Sequence, residues 1–176
     1  MFEIYEEMKR FNNFDDQDVD NLKSLGPVFD KHGAAITDAF YEQLGQFEET
    51  AKLLEGRVDS LKATHKRWMR ELFTGDYGQA YFDNRRRIGD AHVRINLSPY
   101  YVEGVMAFLR RAGLEAINAE VPDRGEAQKK YQSLLKMLDL DLFIINLSYS
   151  EERLSRLVKF TGMSRKLIER CINHSK

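Results

Sequence analysis

Apolar side chains in this chain recur at helical spacing almost throughout. Leu61, His65, Trp68 and Leu72 follow one another at intervals of four, three and four, which lines them along one face of a helix. Tyr81, Ile88, His92 and Ile95 share a face on the next segment. Val102, Met106, Leu109, Gly113 and Ile117 form a third stripe, and Leu134, Leu138, Leu142 and Ile145 a fourth. Alternating β-branched runs bounded by hairpin turns are absent, so the pattern predicts an all-α protein of seven or eight helices. The expected helices lie near 2–11, 16–24, 27–45, 48–55, 57–74, 78–94, 98–119 and 125–150. A further amphipathic stretch covers 151–172, either continuing the preceding helix or turning back on it, with Gly162 as the expected break. Pro27, Pro99 and Pro122 are read as helix starts or turns, and Ser98 before Pro99 fits an N-cap followed by a first-turn proline.

With 176 residues and no repeat or linker, one domain is expected. A formal net charge of −1 gives no bulk attraction to nucleic acid or anionic lipid, so neither is an expected partner. The first residues alternate apolar and charged side chains, unlike a secretory leader. The stretch from Leu138 to Leu147 is too short for a bilayer and carries Asp139 and Asp141, so no membrane span is expected and the expected address is the cytoplasm. The lone Cys171 can form no internal disulfide and reads as an inert or exposed thiol.

Two of the four histidines sit where periodicity places them on apolar faces: His65 among Leu61, Trp68 and Leu72, and His92 between Ile88 and Ile95. An imidazole in such a place costs desolvation energy unless its nitrogens find partners. A core histidine bonded to a carbonyl is one explanation. Two imidazoles on successive helices offer another, a metal centre between them. Imidazole suits iron, copper, zinc and nickel alike. Asp59, Asp83 and Asp90 form no HExxH-type cluster with the pair, which disfavours zinc. Phe40, Leu61, Trp68, Ile88, Ile95 and Tyr101 suit a flat apolar cofactor, for which haem b (iron protoporphyrin IX) is the expectation. His32 and His174, among polar neighbours, are given no role. Arg85, Arg86 and Arg87 read as a solvated helix face, with haem propionates as the alternative partner.

The run RRRIGDAHVRINLSPYY (85–101) resembles the proximal segment of globin-coupled sensors, with Arg85, Ile88, His92, Arg94, Ile95, Leu97 and Pro99 matching. DAFYEQL (38–44) is similar to the family's distal segment, and VDSLKATHKRWMRELFTGDY (58–77) to its following helix. The resemblance implies a sensor-globin variant of the globin fold, with haem sandwiched between helices and a domain over 1–150 in which 1–15 is an N-terminal extension. Residues 151–176 would be a helical extension or the start of a connector to an output module, none of which is visible here. His92 would be the proximal iron ligand, Tyr41 the distal hydrogen-bond donor to dioxygen, and Leu61 and Thr64 distal pocket residues.

The sequence departs from that family at three places. Asn96 stands where many relatives have glycine, and Val102 where some carry a tyrosine that contacts the proximal histidine. Tyr101, next to it, points elsewhere on the helix. His65 replaces a usual aliphatic residue, and an imidazole there is expected to reach iron from the distal side and give a bis-histidyl resting state. By resemblance the ligands would be O2, CO or NO, the last two long helices would make a homodimer, and the role would be regulatory rather than enzymatic. A haem enzyme or scavenger for nitric oxide or peroxide is the alternative, and a cofactor-free interaction domain a third.

Overall fold

A computed structural model describes residues 1–173, so His174, which carried no expected role, lies outside the described residues. Eight helices and no strand occur among them: α1 (Phe2–Phe11), α2 (Asp16–Gly45), α3 (Glu48–Leu54), α4 (Val58–Glu71), α5 (Gln79–Arg94), α6 (Pro99–Glu120), α7 (Arg124–Thr161) and α8 (Arg165–Asn173). The architecture is all-α, as the periodicity requires.

One boundary differs from expectation. Residues 16–24 and 27–45 form one helix of 30 residues, with Pro27 inside it. An interior proline costs about 3 kcal/mol through its missing N–H and its clash with the preceding turn. Burial on both sides of it offsets that cost, because Leu22, Leu25, Val28, Phe29, Ile36 and Phe40 are all core residues on this one helix. The helix starts firmly: Asp15 accepts from the Asp18 amide while the Asp18 carboxylate accepts from the Asp15 amide, a reciprocal capping box.

At the other end of the chain, where the sequence left open whether 151–172 continues the preceding helix, α7 runs unbroken from Arg124 to Thr161, through residue 150. It stops at Gly162, which is left-handed at φ 69 as a C-terminal glycine permits. Arg165 then pairs with Glu151 and Ile168 is buried, so α8 turns back onto the end of α7.

The core is one cluster that draws on every helix from α1 to α7 except the short α3, and includes Tyr5, Leu25, Trp68, Phe82, Ile117, Leu138 and Ile144. A close joint lies between α5 and α7. A Cβ placed on Gly89 would lie 2.6 Å from Ser148 Oγ, 2.8 Å from Ser148 Cβ and 3.2 Å from the backbone Cα of Ile145. Backbone cannot yield as a side-chain tip can, so Gly89→Ala is expected to destabilise the fold by about 1–3 kcal/mol through overpacking. A urea midpoint equal to that of the parent protein would contradict this close approach.

Candidate functional site

A cavity of about 210 Å³ lies among α2, α3, α4, α5, α6 and one residue of α7. Phe40, Tyr41, Leu61, Thr64, His65, Trp68, Ile88, His92, Ile95 and Tyr101 all line it. Leu44, Leu53, Leu54, Val105, Met106, Leu109 and Ile145 add further apolar wall. Its one charged lining residue is Arg57, just before α4.

His65 arrives on α4 through the antiparallel crossing of α4 over α2. Gly33 lets Met69 come close, and one turn along each helix Thr37 meets His65. Lys62 pairs with Asp38 a turn further on. Thr37 Oγ1 lies 3.0 Å from His65 Nδ1, and the ring sits between Phe40 and Trp68, with centroids 4.8 and 5.2 Å away. His65 Nε2 is buried and has no hydrogen-bond partner.

His92 sits in the last turn of α5, which ends in a Schellman motif: the Leu97 amide donates to His92 O and the Asn96 amide to Val93 O. That motif needs a left-handed residue, and Asn96 takes φ 56. Asparagine tolerates this region best among residues with a side chain, which explains how it stands where relatives have glycine. His92 Nδ1 is buried without a partner. Val102, which is buried and lines the cavity, has no hydroxyl to offer it. Burial holds both imidazoles down, to about 4, so each is neutral at physiological pH with a lone pair free for a metal. Two neutral imidazoles lining one apolar slot, each with a ring nitrogen left unpartnered, fit a planar metal-bearing cofactor with imidazole ligands.

Other expected residues are placed with more nuance. Tyr41 is half-buried, its hydroxyl pushed up to about 12 by burial and therefore a donor at neutral pH. Thr64 lines the cavity, but its hydroxyl donates to Ser60 O at 3.0 Å, so its proton is committed to its own helix. Tyr101 does not point away: it lines the cavity together with Val102, and its ring lies edge-on to Phe47.

The arginine run requires a correction. Arg85 is wholly buried, neither a solvated residue nor a partner for propionates. Its Nε donates to Asp141 at 2.9 Å, its other nitrogens reach Glu71 and Trp68 O, and its guanidinium stacks over Tyr81. Asp141, also wholly buried, accepts from Trp68 Nε1 at 2.8 Å and Tyr81 OH at 2.5 Å as well. Burial pushes the Asp141 carboxyl up, while these donors and the guanidinium oppose that push. An arginine in such a place stays charged and needs an anion beside it. The network ties the cavity wall at Trp68 to α5 and α7. Sequence reading missed it, although an aspartate inside the Leu134–Ile145 stripe was a sign that a buried charge needed a partner.

Fold and slot together define a class, the globins, with one imidazole from α4 and one from α5 lining a shared apolar cavity. The Protoglobin family model matches residues 3–155, and the chain belongs to that family. The globin domain of the Geobacter sulfurreducens globin-coupled sensor superposes with a TM-score of 0.78 at 35% identity, over 82% of this chain and 96% of that one. The ferric globin domain of E. coli DosC shares the fold at a TM-score of 0.70 and 16% identity, over 81% of this chain and 97% of that one. The heme-based aerotactic transducer HemAT of Halobacterium salinarum is 28% identical over 159 residues. That match spans 84% of this chain but only 32% of the transducer, so the chain spans about a third of that relative's length. Among the described residues no helix is long and apolar enough to cross a membrane.

Proposed function

We propose that this chain is a haem-binding sensor globin that takes haem b in the cavity, with His92 as proximal ligand and His65 as a displaceable distal one. The observation that carries the proposal is the pair of largely buried, neutral imidazoles, from His65 on α4 and His92 on α5, that line one apolar slot, with His65 Nε2 left without a partner. The Geobacter globin-coupled sensor domain and the heme-based transducer named above support it. Haem, when bound, supplies an iron that reversibly binds diatomic gases such as O2, CO and NO. The rest falls to the chain. Arg57, the one charged residue lining the cavity, would be the cation available to haem propionates. Phe40, Leu61, Trp68, Ile88, Ile95 and Tyr101 would supply apolar wall that keeps water from the bound ring. Tyr41 offers its proton on the side of the cavity where its ring approaches His65, at 6.1 Å between centroids. His92 would ligate with no acceptor on Nδ1, which leaves it a less basic ligand than a histidine tied to a carboxylate.

Distal ligation has a direct test. The haem-loaded protein is expected to show six-coordinate low-spin spectra in the ferric and deoxy ferrous states, and His65→Ala to convert the ferrous form to five-coordinate high-spin. A five-coordinate ferrous spectrum in the parent protein, unchanged by that substitution, would remove His65 from the iron.

We further propose that the chain signals through α7 to an output module and pairs as a homodimer through α6 and α7. Exposed Leu114 on α6 and Leu157 and Phe160 on α7, the last 89% exposed, support such pairing. An enzymatic role in nitric oxide or peroxide removal is the second reading, which Tyr41 beside the distal imidazole also serves. Sustained nitric oxide consumption with a reductant present separates the two.

A further inference from the structure

We infer that Thr37 is a positioning residue for distal iron ligation, fixing which nitrogen of His65 is free to bind. This rests on the proposal that His65 ligates the iron. Thr37 is wholly buried on α2, and its hydroxyl lies 2.7 Å from Gly33 O, a carbonyl that can only accept. The single hydroxyl proton is therefore directed at Gly33 O. What remains on Thr37 Oγ1 is a pair of lone pairs, and His65 Nδ1 lies 3.0 Å from that oxygen. Nδ1 must then carry the ring proton, which leaves Nε2 as the unprotonated nitrogen. Nε2 is also the atom that is buried and unpartnered. The two facts agree: the chain pins the tautomer whose lone pair has no use inside the protein.

The same contact aims the ring. Gly33 and Thr37 stand one turn apart on α2, as Met69 and His65 do on α4. A Cβ on Gly33 would come within 3.0 Å of Met69 Sδ, so the missing side chain sets how closely α4 approaches. Thr37 thus holds His65 at a fixed depth between Phe40 and Trp68. A ligand oriented by a supporting hydrogen bond binds its metal more tightly, and loss of such support typically costs 10–100-fold (roughly) in metal affinity.

Thr37→Val keeps the shape and removes the oxygen, while Thr37→Ser keeps the oxygen and removes the methyl. In the haem-loaded protein, Thr37→Val is expected to raise the high-spin fraction of the ferric form. It should also speed the His65-limited phase of CO binding to the ferrous form by about tenfold. Thr37→Ser should match the parent in both. If Thr37→Val fails to fold, Thr37→Ala carries the same comparison against Thr37→Ser. Should His65→Ala abolish the low-spin spectrum while Thr37→Val leaves spin state and CO kinetics at parent values, Thr37 has no positioning role and distal ligation stands. Should His65→Ala leave the parent spectrum untouched, distal ligation falls and this inference falls with it. An equal change in Thr37→Ser and Thr37→Val would also overturn it, since packing rather than the hydroxyl would then be the cause.

Discussion

Replacing His92 with glycine is expected to weaken haem retention by at least about 100-fold, beyond the loss that removal of a supporting shell alone produces. The side chain sits in the last turn of α5, where the Schellman motif ending at Leu97 fixes the backbone that carries it. No other residue near its place offers an imidazole nitrogen to a metal: of the cavity's lining, only His65 has one, and it comes from α4. Retention through gel filtration and the Soret absorbance measure the effect. Millimolar imidazole, which fits the space vacated in His92→Gly, should restore much of the colour. Undiminished cofactor uptake in the variant without imidazole would refute the proximal assignment, and with it the proposed function.

The second large effect lies away from the cavity. Asp141→Ala leaves the Arg85 guanidinium buried with only Glu71 as counter-charge, since the aspartate contact at 2.9 Å is gone. Breaking a buried pair in this way costs about 3–5 kcal/mol. In a domain of this size that corresponds to a fall of roughly 6–20 °C in Tm. Trp68 Nε1 and Tyr81 OH lose their acceptor in the same stroke. The double variant Arg85→Met with Asp141→Leu removes both charges and should recover most of the loss, because apolar replacements of a buried pair are often neutral. Calorimetry of the two variants decides the matter. A loss under about 1 kcal/mol for Asp141→Ala would show that the pair is not the buried linchpin its geometry describes.

Much of this fold is readable from spacing. Helical periodicity locates the helices and gathers on one cavity the residues that lie along their apolar faces, because a helix with one apolar stripe has one way to bury it. Local rules also find Gly162, whose left-handed backbone ends α7. What the chain hides are matters of tertiary partnership. Arg85 looks solvated among three arginines until Asp141, 56 residues away, is brought against it. Pro27 looks like a helix start until the core residues on both sides of it are seen to share one buried face. Thr37 has no visible role until the register of α2 against α4 sets it opposite His65. In each case the decisive energy comes from a neighbour distant in sequence, and no local pattern encodes it.

Helix α7 has a mechanical consequence of its own. Its 38 residues make a rod of about 57 Å, and about 30 Å of it lies beyond Asp141. Asp141 grips α5 through Arg85, Tyr149 donates to Leu97 O at the foot of the His92 turn, and Ser148 donates to Arg86 O. Beyond those three clasps about 18 Å of helix runs on to Thr161, with Arg165 of α8 folded back onto Glu151. Were α7 to roll about its axis by a few degrees, every side chain beyond the clasps would turn through the same angle, because a continuous helix rotates as a unit.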